Sequence, residues 1–267
     1  MPTFAMNVLV CRDRDGNVNA FHNVCSHRGN LAEHRTEGHS AGLFTCRFHG
    51  WSFDLKGNLA RVRDEEGFFG LDKCKLGLKP IPVGVWQGFI FVCPSDTPHQ
   101  SLDEWLGEQG QDTAGYPWSE CTQSYQFEVE AACNWKLVND SPAEGYHIPV
   151  LHPNSAAPTM MAAGKPMGRL LDVRIRGKHR TNSHYSVLAE PKPVQKLAYF
   201  HAAAAQNVVA QDRDYELPPG INPTRSPFWT VDLIMFFPTL AFTLSAGMYT
   251  AHQVWPLGPN RSIYQQR

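Results

Sequence analysis

Two cysteines and two histidines in the first fifty residues have the types and spacing of metal ligands. Cys25 and His27 form one pair, Cys46 and His49 form the other, and eighteen residues separate His27 from Cys46. A [2Fe-2S] cluster of mixed ligation binds two thiolates on one iron and two imidazoles on the other. A structural zinc site can also use two Cys and two His, but zinc fingers usually place Cys beside Cys and His beside His. The alternating order therefore favours the cluster over zinc.

A second pair of histidines, His147 and His152, lies five residues apart in the other half of the chain. On a straight helix this spacing would place them about 140° apart, on different faces. Pro149 lies between them, and we expect it to end or kink the helix so that the two imidazoles meet. Two imidazoles, one carboxylate and open positions form the usual site of a non-haem Fe(II) that binds O2. The sequence therefore indicates a mononuclear iron site here.

Glu144 precedes His147 by three residues, so on a helix both would share one face. A carboxylate there could hydrogen-bond a ligand histidine from behind and fix its tautomer. However, Ser141 and Glu144 also match a capping box, with Pro142 at the first helical position. The local residues leave both interpretations of Glu144 open.

The composition excludes several other classes of protein. The 267 residues are 42% hydrophobic and 18% charged with a net charge of −1, which is typical of a globular protein and offers nothing to attract nucleic acid or an anionic membrane. No apolar run reaches the roughly 20 residues of a membrane helix, and the start has no signal-peptide pattern. Seven cysteines, an odd number without a paired framework, fit a reducing compartment. We therefore expect a cytoplasmic protein with neither nucleic acid nor membrane as partner.

The elements that must position these residues divide the chain in two. Short strands joined by turns predict an all-β domain over residues 1–95, with a hairpin turn at Asp15-Gly16 and a proline-bearing linker at 94–98. Residues 96–267 predict an α+β domain. Its predicted elements are a short helix over 102–106, a strand over 123–131, a helix over 134–147, an alternating stretch over 172–187, a short helix over 194–208 and a β-rich stretch over 233–253.

The two motifs in this order resemble the large (alpha) subunit of Rieske non-haem iron oxygenases, the aromatic-ring-hydroxylating dioxygenase family. The resemblance covers nearly the whole chain. It implies an N-terminal all-β Rieske domain followed by an α+β, helix-grip-like catalytic domain with an antiparallel sheet. The matching residues are Cys25, His27, Arg28, Gly29, Cys46, His49, Gly50 and Trp51 in the first domain, and Asn134-Trp135-Lys136, Glu144, Tyr146-His147, His152 and residues 252–259 in the second.

The resemblance also implies an activity and its partners. A ferredoxin or a flavin/iron–sulfur reductase, drawing on NAD(P)H, would supply electrons to the cluster. The cluster would pass them to the mononuclear Fe(II), which activates O2 to hydroxylate, dihydroxylate or demethylate a small organic substrate. Family members are usually homotrimers, some with a small beta subunit, in which a cluster serves the iron of the neighbouring subunit. A carboxylate at the position of Glu144 bridges the two centres through histidines.

An aromatic substrate, and with it a role in aromatic hydrocarbon catabolism, is the first expectation for this chain. A quaternary-amine or N/O-demethylating monooxygenase is the runner-up, because Glu at the bridging position resembles the branch that acts on quaternary amines. A Rieske electron-transfer protein without a functional catalytic iron is the alternative from a different class. Apolar residues that could form pocket walls, although most are expected to be ordinary core, are Met160, Met161, Leu233, Met235, Phe236, Phe237, Phe242 and Leu244.

The chain departs from the family pattern near the iron. The family commonly has Asn where this chain has Asp140, so the hydrogen bonds near the iron must change there. In the family the iron's carboxylate ligand follows the second histidine by well over a hundred residues, and here 115 residues follow His152. We expect all six later acids to be solvated surface residues, and we interpret the chain as a fragment lacking both ends. These acids are Asp172, Glu190, Asp212, Asp214, Glu216 and Asp232.

Overall fold

A computed structural model describes residues 6–121, 124–154, 169–185, 216–245 and 248–267. The chain forms two compact units, Met1–Leu102 and Asp103–Arg267. The first unit therefore extends beyond residue 95, where the sequence placed the domain boundary. Within the described ranges, none of the helices has both the length and the apolar character needed to cross a membrane.

Short antiparallel sheets build the first unit, and the predicted all-β fold is confirmed. The hairpin turn at Asp15-Gly16 is present, with Gly16 at a φ of +88° that glycine adopts without strain. The first sheet pairs β1 (Val8–Arg12) with β2 (Val18–His22), the second contains β3 (Leu43–Thr45), β4 (Ser52–Asp54) and β5 (Leu59–Arg61), and the third pairs β6 (Val83–Trp86) with β7 (Phe89–Val92).

The core of the first unit lies directly under the predicted cluster ligands. Cys25 and Cys46 are buried in the same apolar cluster as Phe21, Trp51 and Phe53. The two cysteine loops therefore rest on a close-packed base, which fixes the positions of the sulfur atoms.

A seven-stranded antiparallel sheet organises the second unit, in the order β8-β14-β13-β12-β11-β10-β9. The α+β class and the antiparallel sheet predicted for this half are therefore confirmed. The strands are β8 (Phe127–Ala131), β9 (Arg169–Arg176), β10 (His179–Tyr185), β11 (Trp229–Phe236), β12 (Leu240–Ser245), β13 (Met248–Gly258) and β14 (Arg261–Gln266), and the helices are α1 (Leu102–Thr113), α2 (Trp135–Asp140) and α3 (Ile148–Leu151).

Strand alternation gives this sheet two different faces. One face carries Phe242, which is buried against Trp118 with ring centroids 5.1 Å apart, and forms the core under α1. The opposite face carries Asn182, whose amide nitrogen donates to the carbonyl of Ala143. The segment that contains Glu144 and His147 is therefore attached to the second face, away from the core.

The predicted helix over 134–147 is not continuous. The α2 helix ends at Asp140, a single 3-10 turn covers Ser141–Ala143, and Glu144 is extended with a φ of −149°. Pro142 explains the break, because proline has no N–H for the next helical hydrogen bond. The alternating stretch over 172–187 contains parts of two strands, β9 and β10, since Gly177 turns the chain at a φ of +60°. The helix predicted over 194–208 lies outside the described residues.

Candidate metal centres

Two loops of the same backbone shape present the cysteines of the first unit. The N–H of Gly29 donates to the carbonyl of Cys25 at 2.9 Å, and that of Gly50 donates to the carbonyl of Cys46 at 3.0 Å. Each cysteine N–H donates in turn to the carbonyl five residues later, at 2.7 and 2.9 Å. Both glycines have positive φ, +72° and +74°, which lets each loop close so tightly.

The two thiols face one another inside this pair of loops. Cys25 is 3% exposed and Cys46 is 2% exposed, and their side chains are within hydrogen-bond reach. Burial raises the pKa of Cys25, while the backbone N–H groups of His27 and Arg28 point at its sulfur and act in the opposite direction. The side-chain amide of Asn30 donates to Sγ of Cys46 at 3.8 Å. Such donors are the kind that tune the potential of a cluster sulfur.

The two imidazoles form a second pair beside the thiols. The rings of His27 and His49 lie 4.6 Å apart, and His27 stacks on Trp51 at 4.7 Å. Burial, followed by electrostatic repulsion from His49 and Arg28, lowers the pKa of His27, so the ring is neutral at neutral pH. Its Nδ1 is buried and makes no hydrogen bond within the described residues. A neutral imidazole with an unpartnered, buried nitrogen is suited to bind a metal.

This pairwise arrangement fits a [2Fe-2S] cluster better than zinc. In the described parts of the chain, no three His, Cys, Asp or Glu side chains converge closely enough to hold a single ion. A structural zinc needs four ligands around one point. A Rieske-type cluster needs two thiolates at one iron and two imidazoles at the other.

Glu144 and His147 are in direct contact in the second unit. Oε1 of Glu144 lies 2.5 Å from Nδ1 of His147, and Oε2 accepts the backbone N–H of His147 at 3.1 Å and that of Tyr146. Burial alone would raise the pKa of Glu144, but the hydrogen bonds from His147 and Tyr146 outweigh it and lower the pKa below its usual value. A charged Glu144 holds the proton of His147 on Nδ1 and leaves Nε2 free for a metal.

The capping-box interpretation of Glu144 is wrong in its detail. Ser141 donates its hydroxyl to the carbonyl of Val138 at 3.0 Å instead of accepting a helical N–H. Glu144 does bind backbone N–H groups, but they belong to the turn that follows it. The carboxylate thus both closes that turn and holds the His147 ring.

Pro149 does not end a helix, contrary to our expectation. It lies in the first turn of α3, where proline is tolerated because its missing N–H would have no partner. His147 caps the N-terminus of this short helix and His152 caps its C-terminus, and their rings lie 5.5 Å apart. The predicted meeting of the two imidazoles is therefore present, although a short helix between them produces it.

Asp140 and Asp232 have other partners than this histidine pair. Asp140 is paired with Arg180 at 3.0 Å, with two thirds of its side chain exposed. Asp232 is fully buried, so the prediction that it lies on the surface is wrong; it accepts from the N–H of Asn222 at 2.8 Å and the indole N–H of Trp229 at 3.0 Å. Residues 190, 212 and 214 lie outside the described ranges.

A small cavity, open to solvent, lies on the sheet face that carries Asn182. The α2 helix and the turn that precedes Glu144 contribute to its wall through Asn139 and Ala143. Three of the pocket residues suggested from the sequence border it: Leu233, Met235 and Phe242. The polar wall residues are Asn139, Arg180, Asn182, Thr243 and His252. Sequence reasoning missed all of these except His252, which was noted only as part of the matching stretch 252–259.

Comparison with protein families gives two matches. Residues 2–75 match the model of the Rieske [2Fe-2S] domain, and residues 118–265 match that of the ring hydroxylating alpha subunit (catalytic domain). Similar curated proteins are the chloroplastic choline monooxygenase of Arabidopsis thaliana, 32% identical over 55% of this chain and 37% of that protein, and the methanesulfonate monooxygenase hydroxylase alpha subunit of Methylosulfonomonas methylovora, 29% identical over 97% of this chain and 60% of that protein. The glycine betaine monooxygenase oxygenase subunit of Pseudomonas aeruginosa is 36% identical over 55% of this chain and 33% of its own length.

Two solved structures share the fold. A quaternary ammonium Rieske monooxygenase superposes with a TM-score of 0.72 at 18% identity, over 99% of this chain and 62% of its own. The naphthalene 1,2-dioxygenase of a Rhodococcus species superposes with a TM-score of 0.69 at 20% identity, over 98% of this chain and 62% of its own. The chain spans about a third of the length of the choline and glycine betaine monooxygenases that it matches.

Proposed function

This chain belongs to the ring-hydroxylating alpha-subunit family of Rieske oxygenases, and we propose that it acts as a terminal oxygenase component. The observation that carries the proposal is that one chain presents both ligand sets, the Cys25/Cys46 and His27/His49 pairs and the Glu144–His147–His152 arrangement. When bound, the cluster supplies single electrons and the mononuclear iron activates O2.

The first unit holds its cluster ligands in fixed positions. The buried sulfurs of Cys25 and Cys46 are held in contact, and backbone N–H groups point at Cys25. His27 stays neutral and is oriented by stacking on Trp51. His49 is exposed at the edge of the unit, which places the imidazole side of the cluster toward solvent or a protein partner.

The second unit would hold iron through Nε2 of His147 and through His152. Glu144 keeps the His147 tautomer, so its carboxylate is engaged with an imidazole and with backbone N–H groups. Among the described residues Glu144 is the acid in contact with the histidine pair, and we propose that a carboxylate from elsewhere completes the iron site. We further propose that Glu144 bridges to a cluster histidine of a neighbouring subunit in a homotrimer.

Electrons would enter from a ferredoxin or from a flavin/iron–sulfur reductase that uses NAD(P)H. The exposed aromatic side chain of Phe48 lies beside His49, with ring centroids 3.9 Å apart, at the edge where such a donor can approach. If the second iron proved to be missing, the same surface would serve a Rieske electron-transfer protein.

For the substrate, we propose a small quaternary-amine compound ahead of an aromatic hydrocarbon. Supporting this, choline and glycine betaine monooxygenases are 32% and 36% identical to the matched part of this chain, whereas the aromatic dioxygenase is similar at the level of fold. The cavity wall also mixes polar groups with the apolar residues Leu233 and Met235. A purely hydrocarbon substrate would leave the polar groups unsatisfied.

O2 consumption by the purified, reconstituted chain with a surrogate reductase and NADH tests this function. The substrates are choline, glycine betaine and naphthalene, with product analysis to show that O2 uptake is coupled to oxidation. We expect coupled uptake with a quaternary amine, and none with the His49→Ala variant. Coupled oxidation of naphthalene alone would favour the aromatic alternative, and reduction of the cluster without any coupled uptake would favour the electron-transfer protein.

A further inference from the structure

Four side chains on the cavity face of the sheet form one hydrogen-bonded chain. Oγ1 of Thr243 lies 2.9 Å from Nε2 of His252. Nδ1 of the same ring lies 2.7 Å from the hydroxyl of Tyr264, which donates to Oε1 of Gln266 at 3.0 Å. Thr243 and His252 line the cavity, and the hydrogen bonds continue from them to Tyr264 and Gln266 on β14.

Only one set of donors and acceptors satisfies these four hydrogen-bonded side chains. An amide oxygen accepts and cannot donate, so Tyr264 commits its proton to Gln266. The oxygen of Tyr264 must then accept the Nδ1 proton of His252. Burial lowers the pKa of His252 to about 4, so at neutral pH the ring carries one proton and its Nε2 is a bare acceptor. Thr243 therefore donates its only proton to His252.

We propose that Thr243 is a specificity-determining residue of the cavity, which selects substrates that carry a hydroxyl or another O–H or N–H donor. Its proton is committed to His252, so toward the cavity it offers only oxygen lone pairs. The inference rests on the proposed function in one respect, because it treats the cavity as the substrate pocket.

The neighbouring polar groups support the same selection. The amide nitrogen of Asn139 donates to the carbonyl of Pro238 at 2.6 Å, and that of Asn182 donates to the carbonyl of Ala143. Neither amide oxygen accepts a hydrogen bond within the described residues, so both are acceptors for a ligand. The charge of Arg180, also in the wall, is offset by its ion pair with Asp140. The wall thus disfavours a carboxylate and suits an alcohol.

An ether in place of the alcohol tests this selection directly. A methyl ether has the same oxygen without its proton, so its lone pairs would face those of Thr243. An unmet hydrogen bond in a site built for a donor weakens binding by about tenfold or more. Two scaffolds distinguish the source of the donor: choline against O-methylcholine, and benzyl alcohol against benzyl methyl ether.

Affinity is measured by calorimetric titration of the reconstituted chain. We expect at least one alcohol to bind about tenfold more tightly than its ether. Thr243→Val should reduce this ratio to near one, while Thr243→Ser, which keeps the hydroxyl, should retain it. Equal affinities for alcohol and ether in the unmodified chain, no binding of any of the four probes, or a ratio unchanged in Thr243→Val would each overturn the proposal.

His252→Phe gives a second, independent readout. Removal of the Nε2 acceptor frees the proton of Thr243, which can then donate to an ether oxygen. We expect the affinity for the ether to rise relative to that for the alcohol. An unchanged ratio of the two affinities would contradict the donation of a hydrogen bond from Thr243 to His252. Thermal unfolding of each variant checks that the fold is intact. Binding can be measured without turnover, so the two proposals can fail separately. A preference for the alcohol over the ether without coupled O2 uptake would reject only the oxygenase function. Coupled O2 uptake without that preference would reject only this inference.

Discussion

Oε1 of Glu144 lies 2.5 Å from Nδ1 of His147, and both oxygens of this carboxylate are engaged with the same turn of the chain. The sequence left two interpretations of Glu144 open, a helix cap or a support for a metal-ligand histidine. The contact joins the two roles in one side chain. What distinguishes them is the charge, since a neutral amide could still close the turn but could not stabilise the imidazole in the same way.

Glu144→Gln therefore separates the two roles. We expect turnover to fall by about 10- to 100-fold, the usual effect of losing a carboxylate that supports a histidine ligand. O2 uptake and the reoxidation rate of the reduced cluster are the measurements. Glu66→Gln, at an exposed position in the first unit, is the matched control and should behave like the unmodified chain. Turnover of Glu144→Gln at the unmodified rate would leave Glu144 only its structural role.

Iron and sulfide content tests the two centres separately. If both are present, the reconstituted chain should contain about three irons and two sulfides. His49→Ala should lose the visible absorbance of the cluster and the sulfide but keep the mononuclear iron. His147→Ala should lose the mononuclear iron but keep the cluster absorbance and the sulfide.

The exposed His34, close to the cluster loops in sequence, supplies the control variant His34→Ala. It should match the unmodified chain in iron, sulfide and absorbance. Cluster absorbance that persists in His49→Ala would overturn the ligand assignment. About two irons in the unmodified chain would instead support the electron-transfer alternative.

The cluster ligands could be predicted because each of their loops is a local structure. Cys25 and His27 lie in one turn, Cys46 and His49 lie in another, and Gly29 and Gly50 close these turns within five residues. Such turns depend on nearby residues more than on the rest of the fold. The same reason explains why the hairpin at Asp15-Gly16 was predicted correctly.

The features that were missed depend on distant parts of the chain. Thr243 and His252 meet because β12 and β13 pair in one register, which single-strand alternation does not specify. Asp232 was expected at the surface, but Asn222 and Trp229 satisfy it inside the protein. Charged residues are rarely buried unless partners satisfy them, and those partners cannot be identified before the fold is known.

Two glycines in turns of the first unit give a matched test of its packing. Gly57 has a φ of +85°, and a methyl group there would overlap the ring of Phe21. Gly16 has a φ of +88° with open space around the same position. Both Ala substitutions carry the backbone cost of a left-handed residue, about 1 kcal/mol, and Gly57→Ala should add about 1–3 kcal/mol for the overlap.

Thermal unfolding followed by cluster absorbance measures the difference between these variants. We expect a clearly lower midpoint for Gly57→Ala than for Gly16→Ala, because Phe21 belongs to the core on which the cysteine loops rest. Equal midpoints would show that the ring of Phe21 can move aside at little cost, and that the base of the loops is less tightly packed than the structure indicates.

The buried His252 should make the second unit sensitive to acid. Its pKa is lowered by burial from 6.5 to about 4, so between these values the unfolded chain binds a proton that the folded chain does not. The free energy of unfolding must therefore fall as the pH falls through this window, by up to about 3 kcal/mol from this residue. His179 and His184, whose pKa values are also lowered by burial, act in the same direction.

His252→Gln removes the titrating group but keeps a polar side chain. Its stability at neutral pH should fall, because the contacts with Thr243 and Tyr264 change. The further loss between about pH 7.5 and pH 4.5 should nevertheless be about 2–3 kcal/mol smaller than in the unmodified chain. Urea unfolding followed by tryptophan fluorescence measures this difference, and comparison of the two proteins cancels the contribution of the first unit. His34→Gln, at an exposed position, should leave the pH dependence unchanged. If His252→Gln did the same, the folded and unfolded chains would protonate His252 over the same pH range, and burial would not lower its pKa.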